Sequence, residues 1–89
     1  MTIIGVVIKD SSGKVFEGKR PKRHPDLIKE MSEFYKDLYY HEMPKVVFQG
    51  FITNDHKILS REEAYILARQ NGQTTVKRPS ERLYSEDLW

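Results

Sequence analysis

Four basic residues, Lys19, Arg20, Lys22 and Arg23, fall within a five-residue stretch that runs straight into His24. Arginine forks grip phosphate and carboxylate oxygens in pairs. A histidine opening a helix adds a donor where backbone N–H groups already favour anions. Arg61 stands in the first turn of a second predicted helix, where a cation works against the helix dipole, and that small local cost points to a use. Phe51, after Gly50, has the flat face that a nucleobase stacks on, and equally the profile of an ordinary core strand residue. Arg82 and Tyr84 put a charge and an aromatic ring close together, as nucleotide pockets often need. The chemistry these residues share is capture of something anionic. The plainer readings are a solvated connector for Lys19–Arg23 and a capping or surface role for His24.

Catalytic signatures do not stand out beside them. Gly5, Gly13, Gly18, Gly50 and Gly72 are too scattered for a phosphate loop or a dinucleotide fingerprint. The pair His41-Glu42 lacks the second histidine of a zinc protease, and Glu63 of the Glu62-Glu63 pair is explained by helix capping. Cysteine is absent, which removes thiol catalysis, disulfides and Cys-zinc sites together. His24, His41 and His56 show no close metal-ligand spacing. The expectation is a protein that is not an enzyme and needs no cofactor.

The elements that position these residues follow from the hydrophobic pattern. Thr2 to Lys9 is a β-branched run apolar on both faces, expected to be enclosed on both sides or to sit near an interface. Asp10-Ser11-Ser12-Gly13 is a turn, and Lys14–Gly18 returns as the second strand of a hairpin. A helix begins near Pro25. Its apolar stripe, Leu27, Ile28, Met31, Phe34, Tyr35, Leu38 and Tyr39, reads as core, and Pro44 ends the segment. Val46–Thr53 is a strong strand in which Gly50 signals a bulge or a close approach. Lys57-Ile58-Leu59 is a short returning strand. Ser60-Arg61-Glu62-Glu63 is a capping box for a helix that buries Ala64, Ile66, Leu67 or their neighbours and stops at Asn71-Gly72. Gln73–Glu81 reads as a polar loop. Leu83, Tyr84, Leu88 and Trp89 then bring back more apolar surface than a free tail carries, so the segment Arg82–Trp89 should dock on the folded body. The fold class is α+β: a small antiparallel sheet from two hairpins, packed with two α-helices.

Size and charge bound the rest. Eighty-nine residues make a single domain with a thin core, and self-association is the remaining way to thicken it. No stretch approaches the roughly 20 apolar residues of a membrane span, and Met1–Lys9 lacks the features of a signal peptide, so the expected location is cytoplasmic. A net charge of +2, from 15 basic and 13 acidic residues, does not suit a bulk nucleic-acid binder.

The chain also resembles a known family. The likeness is carried by Lys14-Val15-Phe16-Glu17-Gly18-Lys19-Arg20, Arg23-His24 at a helix start, Gln49-Gly50-Phe51-Ile52-Thr53, Arg61-Glu62-Glu63-Ala64, Gly72-Gln73 and the closing Leu83-Tyr84-Ser85-Glu86-Asp87-Leu88-Trp89. These motifs span nearly the whole chain, and together they resemble the first family of Thoeris anti-defence proteins, phage-encoded sponges for immune signals. The resemblance implies binding of cyclic ADP-ribose isomers without degradation. It implies cyclic oligonucleotides at a separate site, and a homodimer that assembles further into a hexamer, with ligand where protomers meet. It implies that Phe51 stacks on adenine, that Arg23 and Arg82 grip phosphates, and that Arg61 or its neighbours line the pocket. With Arg20, His24, Gln49 and Tyr84, these form the expected ligand-binding set. The chain departs from the pattern at Asn54-Asp55-His56-Lys57, where a glycine is usual, and at Met43-Pro44-Lys45. The alternative function is a phage-encoded inhibitor or interaction module that docks on a host protein through Lys19–Arg23 and the aromatic tail.

Overall fold

A computed structural model describes residues 1–89, the side chain of Tyr40 excepted. Strands β1 (Ile3–Asp10) and β2 (Val15–Lys19) form the first hairpin. Its turn is held by the enclosed Asp10 carboxylate, which accepts from the Ser12 N–H (2.8 Å), the Ser12 hydroxyl (2.6 Å), the Lys14 N–H (3.1 Å) and the Tyr35 hydroxyl (2.5 Å). Burial pushes the Asp10 carboxyl upward, but the donors from Ser12, Tyr35 and Lys14 outweigh it and hold the group below its ordinary value.

The second hairpin, β3 (Val46–Thr53) with β4 (Ile58–Ser60), joins the first through β1–β3 pairing. The result is a four-stranded antiparallel sheet in the order β2-β1-β3-β4. The departure at Asn54–Lys57 has a clear local form. His56 takes the left-handed conformation, with φ of 64°, that a glycine adopts without cost.

Helices α1 (His24–Phe34) and α2 (Arg61–Gln70) lie on one face of the sheet. A register shift between Ile3 and Gly5 brings Ile3 onto the same face as Val6 and Ile8. These three pack with Phe51, Leu27, Met31, Ala64, Tyr65, Ala68 and Leu83 in one core. Val7 points to the opposite face by strand alternation and is still only 1% exposed, so β1 is enclosed on both sides although helices cover one. No helix among the described residues is long and apolar enough to cross a membrane.

Two expectations are corrected by the helices. The apolar stripe of the first helix does not continue as core to Tyr39: α1 stops at Phe34, Tyr35 serves as its C-cap, and Phe34, Leu38 and Tyr39 are exposed. Tyr35 turns instead toward Asp10, and its ring meets Phe16 and Phe34 edge-on. In α2 the buried residues are Ala64, Tyr65 and Ala68, whereas Ile66 faces outward. The boundaries of α2 are those the sequence marks. Ser60 Oγ accepts from the Glu63 N–H, the Glu63 carboxylate accepts from the Ser60 N–H, and Gly72 follows the helix with φ of 79°.

The chain beyond α2 has no strand, yet it is tied down throughout. The Gln73 side chain accepts from the Ile3 N–H (2.8 Å) and donates to the Ile3 carbonyl (2.9 Å), pairing with β1 as a strand would. Leu83 is fully enclosed, and Leu88 and Trp89 pack against the core. The Trp89 indole N–H donates to the Lys22 carbonyl at 2.8 Å. The tail Arg82–Trp89 is therefore part of the folded body.

Candidate ligand-binding cleft

The tail, the start of α1 and the start of α2 converge on one cleft over β3. At α1, the Arg23 backbone is extended and its N–H donates to the Asp26 carboxylate (2.8 Å), which fixes the helix entry. Pro25 in the first turn suits a helix start. His24 is 3% exposed and ties three elements together. Its backbone N–H reaches the Ser85 hydroxyl at 3.4 Å, and its Nε2 lies 2.7 Å from the Gly50 carbonyl. Its ring meets Phe51 edge-on at 5.0 Å. A carbonyl only accepts, so Nε2 carries the proton and Nδ1 is left as an acceptor. Burial lowers the His24 pKa, the Gly50 carbonyl partly restores it, and the Arg61 charge lowers it again, with a net result below the ordinary 6.5. The ring is neutral at physiological pH.

Gly50 is the close approach that its place in a strand suggested, but its neighbours are protein. A Cβ there would lie 2.2 Å from the Leu59 carbonyl oxygen and 2.6 Å from the Phe48 ring. Only glycine lets β4 and Phe48 close over this point.

Arg61 opens α2 directly after its Ser60 cap. Its Nη2 donates to the Gln49 side-chain oxygen at 2.8 Å, and its guanidinium lies 5.0 Å from the centre of the Tyr84 ring. Its Nε is enclosed and has no hydrogen-bond partner among the described residues. No carboxylate among them pairs with this cation, in contrast to Arg78 and Arg82. A cation held in this way has one donor free to bond an acceptor, and its charge favours an anionic one.

Tyr84 is placed by its neighbours. Arg78 lies 4.4 Å from its ring centre, so the tyrosine interacts with two guanidinium groups. The Asp87 carboxylate accepts from Arg78 Nε (2.8 Å), Arg78 Nη2 (2.5 Å) and the Tyr84 N–H (3.0 Å). The Arg78 hydrogen bonds dominate at Asp87 and, against burial, hold its carboxyl low. The same pairing raises the Arg78 pKa. Both stay charged, and the ion pair fixes the tail. On the other side, Arg23 Nε donates to the Trp89 carbonyl at 2.6 Å.

The cleft so formed has a volume of about 270 Å³. Five of the eight residues expected from the sequence line it: Arg23, His24, Gln49, Arg61 and Tyr84. The other three lie outside this lining. Phe51 is fully enclosed in the core, paired with Val6 and Leu59 of the neighbouring strands, and offers no exposed ring face to a ligand. Arg82 lies outside the lining and pairs with Glu62 at 2.9 Å on the surface. Arg20 is exposed at the end of β2, where its N–H donates to the Ile4 carbonyl, and it too is outside the lining. Sequence reading missed Pro25, Ile28, Ser85 and Glu86 in the lining, and Arg78 behind Tyr84. A serine within the closing motif was the available signal for Ser85, and the basic stretch of Lys77, Arg78 and Arg82 was the signal for Arg78.

Fold and cleft together define a small α+β domain with an arginine-bearing cleft closed by its own C-terminal segment. The chain belongs to the phage T4 y16D protein family, whose sequence model matches residues 6–89. Comparison with curated proteins and with solved structures gives no significant match.

Proposed function

We propose that the cleft captures a nucleotide-derived anionic signal and holds it unchanged, as the sponges of the Thoeris anti-defence kind hold cyclic ADP-ribose isomers. The observation that carries this reading is Arg61: enclosed at Nε, unmatched by any carboxylate among the described residues, and set against the Tyr84 ring. The first residues of both helices, His24 of α1 and Arg61 of α2, border the same cleft, and a helix start carries partial positive charge. Arg23 supplies a second guanidinium, and Pro25, Ile28 and Tyr84 supply apolar wall.

Retention rather than turnover suits the local chemistry. Ser85 and His24 are adjacent, but the contact runs through the His24 backbone N–H. The proton-bearing ring nitrogen is committed to the Gly50 carbonyl. The pair is therefore not arranged as a nucleophile and its base. The cleft is smaller than the roughly 300–1,000 Å³ common for small-molecule sites. A second protomer closing over it would complete the enclosure, so assembly as a homodimer or hexamer belongs to the proposal, as does action in the host cytoplasm. Docking on a host protein through Lys19–Arg23 and the aromatic tail has less support, because Leu83, Leu88 and Trp89 already pack inward.

Native mass spectrometry of the protein purified from cells with active nucleotide immune signalling tests this. The expected spectrum shows an oligomer carrying a small-molecule mass that is released intact. A ligand-free protein, or a stoichiometric host protein in its place, would reject it.

A further inference from the structure

A second hollow, of about 480 Å³, adjoins the cleft along α1. Ile28 lines both. The first hollow is bounded by His24 and Pro25 and the second by Met31 and Ser32, which are successive turns of one side of the helix. Two turns of helix separate the ends by about 11 Å. The opposite wall gives an independent ruler: Gln49 faces the first hollow and Val46 the second, and three strand residues cover about 10 Å. The two hollows therefore lie end to end along one side of α1, as two compartments that share Ile28.

Their chemistry differs. The first holds Arg23 and Arg61 together with Glu86; the second has no arginine, carries Lys45 and Ser32, and is otherwise walled by Ile28, Met31, Met43, Pro44 and Val46. Methionine side chains adapt to flat ring faces and make favourable sulfur–aromatic contacts. His41 stands at this compartment with its ring parallel to that of Tyr39, 5.9 Å between centres and 6° between planes. The far wall is anchored, because the Lys45 N–H donates to the Ser11 hydroxyl and the Lys45 carbonyl accepts from the Ser11 N–H at 2.8 Å. Met43-Pro44-Lys45, which matched no motif in the sequence, is thus part of the anchored wall of a largely apolar compartment.

We infer that the two compartments act as one groove and take a phosphate–ribose–base unit lengthwise, phosphate at Arg23 and Arg61 and the base in the methionine-lined compartment. Resting on the function proposed above, this narrows the ligand to one with both an anionic and an aromatic end about 10 Å apart. A bare phosphate or pyrophosphate would fill only the first compartment.

The test uses calorimetric titration of the whole protein with inorganic pyrophosphate and with ADP-ribose. Ser32 is an exposed helix position, and Ser32→Phe fills the second compartment; Met43→Ser removes its apolar wall without filling it. The wild type should bind both probes. Each variant should weaken ADP-ribose by about tenfold or more, the scale of one lost base contact, while pyrophosphate stays within about twofold. Unchanged ADP-ribose affinity in both variants, or equal weakening of both probes, overturns the two-compartment inference and leaves the cleft reading standing. Failure of the wild type to bind either probe overturns the cleft reading and this inference with it.

Discussion

Replacing His24 by glutamine tests the most constrained side chain in the cleft. The wild-type ring is almost fully enclosed, donates through Nε2 to the Gly50 carbonyl, and has its pKa lowered by burial. An unfolded chain takes up a proton at this residue near pH 6.5, its ordinary value. The folded chain resists that proton, so the unfolded state binds more of it. The contribution is therefore fully present above the ordinary value and is lost as pH falls below it. For one proton that the folded ring never accepts, the loss between about pH 7.5 and about pH 5.5 has an upper limit of about 1.4 kcal/mol. At about 4–8 °C per kcal/mol for a domain of this size, the wild type should melt several degrees lower at the acidic end. Glutamine can keep a donor on the Gly50 carbonyl but does not titrate. His24→Gln should be less stable throughout, because the edge-on contact with Phe51 contributes about 0.5–1.5 kcal/mol, and its pH slope in this window should be shallower. Thermal melts of both proteins across the window give the answer. Parallel curves would refute the reasoning, since they would mean that His24 is protonated equally in both states.

Gly50→Ala should cost at least the upper part of the about 1–3 kcal/mol typical of overpacking, because the clash is with a β4 backbone carbonyl as well as the Phe48 ring; a urea titration reads it. Asp87→Asn removes the charge that holds Arg78 and should cost about 1.5–3 kcal/mol by thermal melt, while loosening Tyr84 enough to weaken ligand binding as well. The wild-type carboxylates Asp10 and Asp87 have pKa values below their ordinary 3.8, so their contribution is present above that value and is lost as pH falls further, which acid titration of the fold monitors. Arg82→Ala should change stability by about 0–1 kcal/mol and leave binding intact, because its pair with Glu62 is a surface one outside the cleft; calorimetry on the variant checks it.

Local signals in the sequence were legible where one residue type has one physical use. The capping box at Ser60–Glu63, the stop at Asn71-Gly72 and the Asp10–Gly13 turn all sit where the structure has them. Face assignments were harder. In Val46–Thr53 both alternating sets contain apolar residues, so period-two reading cannot say that Phe51 faces the core while Gln49, on the same side, reaches the cleft rim. The stripe on α1 overran for a similar reason. Helical spacing continues through Phe34, Leu38 and Tyr39, yet the helix is cut short where Tyr35 turns to Asp10 across 25 positions of sequence. Among the arginines, Arg23 and Arg61 were recognisable from their places at helix starts. Arg20 and Arg82 lie outside the cleft lining, a difference that comes from how the chain packs and that no local spacing carries.

The central proposal is that Arg61 binds an anionic ligand. The direct measurement is calorimetric titration of wild type and Arg61→Gln with a cyclic ADP-ribose isomer, with the mass of the recovered ligand checked afterwards. The expected result is reversible binding of an unaltered ligand, weakened by about 10- to 150-fold in the variant, the scale of one charge-assisted hydrogen bond. Equal affinity in the two proteins, no binding by the wild type, or a chemically altered ligand would contradict the account.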